Sequence, residues 1–285
     1  MKIFDEEINF KNYDCSYDNN HYRIRGAMIN LYVQATSKCN AKCCFCDTKN
    51  KCNNFNYEKF NKVLKELSNR NILKRIAITG GEPLLDELKT MKIIEEAKRY
   101  CEIISLNTNA YSIDKIDLVY DKVSFIDISK HHYDNNINNR IMGLQTPTIN
   151  EICNRISNKK IKVNCVLQNS GINSFEELKN MLNILSDKNI SEVKFISILP
   201  LNQMAVNEFV NPENIMKQCE VYLNDSYLYD KHMCKCFEFM YVSDKGKVIK
   251  VTIRYTIDKN YDCVKQLVYD GEYLYTSFNK DKIII

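Results

Sequence analysis

The sequence predicts an α/β fold, a parallel sheet or barrel followed by a small tail of β-hairpins, and three observations predict it. Short apolar runs rich in β-branched residues recur along the 285-residue chain. Segments of 3.6-residue periodicity separate these runs. After about Pro212 both patterns give way to strict alternation between turn signals. Six strand–helix repeats indicate a parallel sheet or barrel and exclude a sandwich.

The six predicted strands are apolar on both parities, as strands buried on both faces of a parallel sheet are. They are Ile29–Ala35, Arg75–Thr79, Ile103–Asn107, Val123–Ser129, Lys162–Gln168 and Val193–Leu199. The segments between them place apolar side chains on one helical face. The clearest helices are Tyr57–Arg70, Glu87–Tyr100 and Phe175–Lys188.

In the tail, the spacing of apolar residues changes. A helix is predicted from Glu213 to about Tyr222, and β-hairpins are predicted from Phe237 onward. Turns at 243–246 and 270–271 separate alternating strands. The sequence thus predicts three parts: an N-terminal extension (1–28), an α/β body (29–211) and a C-terminal extension (212–285) packed on the body.

Composition limits the functional classes. The 40 basic and 36 acidic residues give a net charge of +4, and no Lys/Arg run reaches five. Neither a nucleic-acid partner nor a polybasic membrane anchor is indicated. No apolar stretch is long enough for a transmembrane helix. The acidic N-terminus lacks the basic start of a signal peptide, so we expect a cytoplasmic protein.

Thirteen cysteines are the unusual feature, and five of them fall within residues 39–52. Three form the spacing Cys39-x3-Cys43-x2-Cys46. Three thiolates on one tight loop suit three irons of a [4Fe–4S] cube and leave the fourth iron without a protein ligand. Structural zinc is the alternative, but it needs a fourth ligand nearby. Cys44 is poorly placed for that role because it directly follows Cys43; Cys52 is the other candidate.

Two motifs in this order resemble the radical S-adenosylmethionine superfamily. The cysteine motif follows the first strand, with aromatic Phe45 before the last cysteine, and Thr79-Gly80-Gly81-Glu82-Pro83 follows the second strand. The resemblance covers roughly residues 29–200 and implies a partial (β/α)6 TIM-type barrel. The C-terminal extension would then close the barrel.

The resemblance also implies cofactors. Cys39, Cys43 and Cys46 would hold a [4Fe–4S] cluster whose open iron chelates S-adenosylmethionine. An electron from a donor such as flavodoxin or ferredoxin would cleave the cofactor, and the 5′-deoxyadenosyl radical would abstract a substrate hydrogen. The positions that match cofactor contacts in the family lie at or near strand ends. They are Phe45, Gly80, Gly81, Glu82, Pro83, Thr108, Asn109, Ser129, Asn164 and Leu199.

The resemblance implies a role for several of these positions. Pro83 would stiffen the turn, Ser129 would contact the methionine carboxylate or the ribose, and Asn164 and Leu199 would contact the ribose or the adenine. Gly80 and Gly81 would let the backbone approach the methionine end of the cofactor, and Glu82 would accept from its amino group. The alternatives are ordinary structural roles: Thr108 and Asn109 as turn residues, and Asn164 as a hydrogen-bonded core amide.

Two histidines follow the fourth predicted strand, where the sequence departs from the common family pattern. His131 or His132 would act as a proton acceptor or substrate hydrogen-bond partner, with Asp127 orienting one of them. The alternative is a solvated loop that leads into a helix capped by Asp134.

Within the superfamily, the fifth and sixth strands look closest to the branch of the molybdopterin GTP 3′,8-cyclase. Lys162 matches a GTP-contacting position, but the arginines expected near Tyr32 and Ala77 are missing. The cyclase's second-cluster cysteines and Gly-Gly tail are absent too, so that activity is rejected.

The tail resembles the opening hairpin of the SPASM/twitch extension of peptide-modifying radical enzymes. It has the frame Cys236-x9-Gly246-x4-Val251, with Val251 where a ligand cysteine would stand. A second cluster on Cys234, Cys236 and Cys263, with or without Cys219, is the alternative to a hairpin that shapes the substrate pocket.

The sequence therefore predicts a radical enzyme that modifies a peptide or another natural-product precursor by bond formation, rearrangement or epimerisation. One alternative is a small-molecule or nucleotide substrate. An alternative of another class is a non-catalytic metal-binding protein on the same fold.

Overall fold

The computed structural model describes residues 2–8, 29–46, 54–156, 160–198, 202–219, 227–231, 234–256, 266–276, 278 and 282–285; at 227–231, 234–236 and 255–256 only the backbone is described. The strands are β1 (Lys2–Ile3), β2 (Glu6–Glu7), β3 (Ile29–Thr36), β4 (Leu73–Gly80), β5 (Ile104–Thr108), β6 (Phe125–Ser129), β7 (Ile161–Leu167), β8 (Glu192–Ser197), β9 (Tyr227–Lys231), β10 (Cys234–Val242), β11 (Val248–Thr256), β12 (Gln266–Tyr269) and β13 (Leu274–Tyr275).

The helices are α1 (Tyr57–Asn69), α2 (Glu87–Lys98), α3 (Asp117–Tyr120), α4 (Asn135–Met142), α5 (Ile149–Arg155), α6 (Phe175–Asp187), α7 (Gln203–Asn207) and α8 (Pro212–Cys219). Two 3₁₀ turns span Pro83–Asp86 and Ile113–Ile116. No helix among the described residues has the length and apolar character needed to cross a membrane.

One large sheet organises the chain. Its eleven strands run β13-β12-β3-β4-β5-β6-β7-β8-β11-β10-β9, and β1 pairs separately with β2. The six central strands, β3 to β8, are consecutive in sequence and parallel to their neighbours. These are the six predicted strands, which confirms the predicted α/β class with a mostly parallel sheet. Leu199, predicted to close the sixth strand, lies outside the described residues.

The tail enters this sheet at both edges. Strand β11 forms the predicted hairpin with β10, and it also pairs in parallel with β8. Strand β12 pairs in parallel with β3 at the opposite edge. No described strand pairs β9 with β13, so the sheet stays open in the described part of the chain. The C-terminal strands therefore extend the body's own sheet. The alternation of apolar and polar residues could not predict this, because it shows which face of a strand is buried and not which strand lies beside it.

The two faces of the sheet differ in chemistry. Side chains on one face are buried in the apolar core with the helices, among them Ile76, Val163, Val193 and Ile253. The opposite side chains form what we call the inner face. Its charged side chains on the described strands are Arg75, Asp127, Lys162, Glu192, Lys194, Glu238, Lys250 and Arg254.

Candidate active site

The cysteine loop, residues 37–46, leaves the end of β3. Cys39 is exposed, Cys43 is buried and Cys46 is half-buried. Burial, and then the neighbouring Cys46 and Cys39, raise the pKa of Cys43 to about 12. A buried thiol of this kind ionises when a cation such as iron compensates its charge. Among the described residues, no three His, Cys, Asp or Glu side chains are arranged to hold a single metal ion.

The Gly-Gly-Glu turn supports this loop through its backbone. The Gly81 N–H donates to Thr36 O at 2.7 Å, and the Glu82 N–H donates to Lys38 O at 2.8 Å. A Cβ on Gly80 would lie 2.3 Å from Thr36 O, and one on Gly81 would lie 2.0 Å from Lys38 O. Close approach to the end of β3 therefore requires Gly80, and close approach to the cysteine loop requires Gly81. Their expected role towards the cofactor stays a prediction.

The end of α4 supports the other side of the loop. The Lys42 N–H donates to Met142 O at 2.7 Å, and Ala41, Cys43 and Met142 form a small buried apolar cluster. Phe45 packs against this cluster. The helix ends at Gly143, whose φ of 57° is the left-handed conformation that glycine adopts most readily. The cysteine loop is thus held between two separate elements.

Glu82 is the buried carboxylate of the site, with an exposed fraction of 1%. It accepts hydrogen bonds from Thr108 Oγ1 at 2.8 Å, from the Asn109 N–H at 2.7 Å and from the Leu84 N–H at 3.1 Å. Burial raises its pKa against the lowering effect of these bonds. No cation of the described chain forms an ion pair with it, so the site suits the ammonium group of an amino-acid ligand.

Two of the other predicted positions connect to the same region. Asn109 Nδ2 donates to Asn40 Oδ1 in the cysteine loop at 2.8 Å. Pro83 begins the 3₁₀ turn that Glu82 caps. The end of β5 therefore contacts both the cysteine loop and the Gly-Gly-Glu turn.

Ser129 and Asn164 are brought together on the inner face. They are register partners across β6 and β7, and both are half-buried. The Lys130 N–H donates to Asn164 O at 3.0 Å and continues this pairing past the end of β6. The hydroxyl at the end of β6 and the amide in the middle of β7 thus stand side by side.

His131 faces the cysteine loop. Its ring lies 5.0 Å from the Phe45 ring in an edge-to-face arrangement. Its Nδ1 accepts from the Val166 N–H at 3.2 Å, so the neutral ring carries its proton on Nε2. Burial and then the charge of Lys130 lower its pKa to about 4. At neutral pH the ring is therefore uncharged.

His132 faces away from the cysteine loop. Its Nδ1 accepts from the Asp134 N–H at 2.9 Å, and its Nε2 lies 3.2 Å from Glu177 Oε2 on α6. The structure thus separates the two histidines that the sequence places next to each other. The idea that Asp127 orients one of them is wrong, because that carboxylate pairs with Arg75 on the inner face.

The comparisons with known proteins agree with this arrangement. The model of the Radical SAM superfamily matches residues 33–210, which is more than half of the chain. This chain belongs to the radical SAM superfamily. Its members use a [4Fe–4S] cluster and S-adenosylmethionine, and the cysteine loop and the buried carboxylate of Glu82 suit these two groups.

Three solved structures share the fold. SuiB of Streptococcus suis bound to S-adenosylmethionine has a TM-score of 0.66 at 13% identity, covering 88% of this chain and 60% of its own. SuiB bound to the precursor peptide SuiA has a TM-score of 0.65 at 13% identity, with 88% and 59% covered. The anSMEcpe structure with bound AdoMet and Cp18Cys peptide has a TM-score of 0.62 at 17% identity, with 88% and 74% covered.

At these identities the likeness shows the fold alone. The chain spans about 60% of the length of SuiB. No curated protein sequence matches the chain.

The structure also shows residues that sequence reasoning missed. Lys130 is 1% exposed, and its Nζ donates to Pro147 O at 2.7 Å and to Thr146 Oγ1 at 3.3 Å. It also contacts Asn135 Oδ1. Burial lowers its pKa to about 8. The sequence gave no indication that Lys130 is buried, because a lysine ammonium group is usually exposed.

Proposed function

We propose that this chain is a radical SAM enzyme whose substrate is a peptide. The observation that carries the proposal is the meeting of the cysteine loop, the Gly-Gly-Glu turn and the end of β5 around buried Glu82. A binding-only protein would not need a buried carboxylate without a cation beside the cysteine loop, because that arrangement costs stability until a ligand compensates it.

In this proposal Cys39, Cys43 and Cys46 hold the cluster, and Glu82 accepts from the ammonium group of S-adenosylmethionine. When bound, the two cofactors supply a 5′-deoxyadenosyl radical that abstracts hydrogen from the substrate. Phe45 lines the cofactor side of the cysteine loop.

The remaining predicted contacts have supporting roles. Thr108 and Asn109 hold the Glu82 carboxylate in place, and Ser129 and Asn164 offer a hydroxyl and an amide to the ligand. Neutral His131 keeps a fixed Nε2–H donor beside Phe45. The contacts of His132 with Asp134 and Glu177 favour a role in holding its loop.

Two lines of support favour a peptide substrate. SuiB binds a precursor peptide and anSMEcpe binds a Cp18Cys peptide on the same fold. The hairpin of β10 and β11 has the cysteine–glycine frame of a SPASM/twitch extension. An acidic electron carrier such as flavodoxin or ferredoxin would supply the electron. Bond formation, rearrangement and epimerisation are the outcomes open to a peptide radical.

The proposal is tested with anaerobically reconstituted protein, S-adenosylmethionine and a reductant. We expect about four iron atoms per chain and formation of 5′-deoxyadenosine. A variant with Cys39, Cys43 and Cys46 changed to Ala should lose both. Cys153→Ala, which changes a half-buried cysteine on α5 outside the loop, should keep both.

One result would count against the proposal, and another would change the number of clusters. Fully reconstituted protein that forms no 5′-deoxyadenosine is not a radical SAM enzyme. About eight iron atoms per chain would instead reveal a second cluster, for which Cys234, Cys236 and Cys263 are the candidates; Cys263 lies outside the described residues, and only the backbone is described at the other two.

A further inference from the structure

The cysteine loop presents an exposed, basic surface. Lys38 and Lys42 are exposed, and Cys39, which lies between them in sequence, is exposed too. No carboxylate of the described residues lies within ion-pair distance of either ammonium group. Residues 37–46 contain no Asp or Glu. One edge of the proposed cluster site is therefore open to solvent and has a cation on each side in sequence.

The end of α4 continues this surface. Lys42 packs against Gly143, since a Cβ on this glycine would lie 3.1 Å from the Lys42 Cβ. Gly143 and Arg140 line one groove of about 350 Å³. Arg140 is exposed, and no described carboxylate forms an ion pair with it. Residues 135–150 contain no Asp or Glu. We call Lys38, Lys42 and Arg140 the basic rim of the cysteine loop.

The other elements that contact the loop do not balance this charge. Glu82 is the acid of the Gly-Gly-Glu turn, and it is only 1% exposed. Helix α7 has no charged residue, and it begins beside the loop, where Asn202 Nδ2 donates to Cys44 O at 3.4 Å. Residues 47–53, which lie outside the described part of the chain, add one aspartate and two lysines in sequence. The surroundings of the loop are therefore basic or neutral.

Helix α7 adds exposed apolar side chains to these surroundings. Met204 is 63% exposed and Val206 is 49% exposed. An exposed ion pair contributes only about 0.2–1 kcal/mol, but several charges of one sign orient an oppositely charged partner and speed its association. A surface with a basic rim and an apolar neighbour suits a small, transient contact with an acidic protein.

We propose that the basic rim is the docking surface of an acidic flavodoxin, which delivers its electron beside Cys39. This inference rests on the proposed function and locates the partner of the same site. One electron passes from the reduced flavin to the [4Fe–4S] cluster, so the flavin is oxidised by one electron and the cluster is reduced by one. No proton or leaving group moves. The apolar dimethylbenzene edge of a flavin suits the apolar side chains of α7, which favours a flavoprotein as the carrier.

The test measures binding of oxidised flavodoxin to anaerobically reconstituted full-length protein by isothermal titration, at about 50 and about 300 mM NaCl. We expect weaker binding by wild type at the higher salt concentration, because salt screens contacts between exposed charges. The double variant Lys38→Glu/Lys42→Glu should bind about tenfold more weakly at the lower concentration and lose most of the salt dependence. Lys38→Arg/Lys42→Arg should keep the wild-type affinity.

The matched control is Lys74→Glu/Lys217→Glu, which makes the same change of net charge at exposed lysines outside the loop. Its affinity should stay within about twofold of wild type. All variants should hold about four iron atoms per chain, which shows that the cysteine loop is intact. Reduced flavodoxin should bleach the cluster absorbance more slowly in Lys38→Glu/Lys42→Glu, whereas photoreduced deazaflavin, a neutral small reductant, should act equally on every variant.

Three outcomes would overturn the docking surface or its occupant. Wild type that does not bind flavodoxin would do so, and so would equal weakening in the two charge-reversed double variants. Binding of an acidic ferredoxin in place of flavodoxin would overturn the choice of carrier. Failure to form 5′-deoxyadenosine with the small reductant would count against the proposed function instead, so the two failures are distinguishable.

Discussion

At the scale of single residues, Glu82 shows how the site trades stability for binding. Its carboxylate is almost fully buried, and its partners are the Thr108 hydroxyl and two backbone N–H groups. These donors satisfy its oxygens but do not cancel its charge. Burial therefore raises its pKa, and a ligand ammonium group would reverse that effect.

Changing Glu82→Gln should weaken S-adenosylmethionine binding about tenfold or more, because a charge-assisted hydrogen bond is lost. Isothermal titration of anaerobic protein measures this. Because the pKa of Glu82 is raised in the folded protein, the unfolded chain releases this proton at a lower pH, near the ordinary value of about 4.5. The free energy of unfolding should therefore fall as the pH rises above about 4.5. Glu82→Gln should remove this part of the fall.

The control for Glu82 is Glu176→Gln, which removes an exposed carboxylate from the first turn of α6. It should leave cofactor affinity unchanged. An unaltered affinity in Glu82→Gln would contradict the role assigned to the buried carboxylate.

At the scale of elements, α4 and the loop after it link β6 to the cysteine loop. Thr146 Oγ1 accepts from Asn138 Nδ2 at 2.9 Å, and its N–H donates to Asn139 Oδ1 at 2.8 Å. The Lys130 ammonium ties the same loop to the end of β6. Because Met142 at the end of α4 accepts from Lys42, this network fixes one side of the cysteine loop.

Lys130 should make stability depend on pH in the alkaline range. Its pKa is about 8 when folded against 10.5 ordinarily, so the unfolded chain binds the extra proton between these values. The wild type should thus gain stability as pH rises from 8 to 10.5, on the order of 3 kcal/mol, relative to Lys130→Met. Urea unfolding of both proteins at several pH values measures the difference.

The exposed Lys74→Met variant provides the comparison for Lys130 and should show no such pH-dependent difference. A flat difference between wild type and Lys130→Met from pH 7 to 10.5 would mean that the ammonium titrates normally inside the fold.

At the scale of the whole molecule, the C-terminal strands complete both ends of the parallel sheet. Tyr269 on β12 stacks on Phe60 of α1 with ring centroids 5.4 Å apart. Its hydroxyl donates to Asn56 O at 2.7 Å, just before α1. The tail is thereby joined to the first helix of the body, far away in sequence.

Tyr269→Ala should lower the free energy of unfolding by about 3–5 kcal/mol, as removal of a buried aromatic ring does. Tyr273→Ala, four residues beyond β12 at 41% exposure, should cost about 1 kcal/mol or less. Chemical unfolding of the two variants measures this contrast. Equal losses would mean that the tail does not support the body.

Much of the fold could be predicted because its signals are local. The six parallel strands follow from apolar runs of the right length, and the start of α4 follows from Asp134, whose side chain caps it. Register and strand partners could not be predicted. Alternation in Ile249, Val251 and Ile253 shows which side chains are buried, but pairing of β11 with β8 depends on the completed sheet.

The sequence by itself determined the family and the residues of its two motifs, because short loops with fixed spacing carry that chemistry in adjacent residues. Tertiary structure decided what those residues meet. Packing against Thr36 and Lys38 requires the glycine pair, and folding turns His131 and His132 in different directions. Pairing on the inner face places Lys162 against Glu192. Such outcomes depend on contacts between distant strands, and only the folded chain brings those strands together.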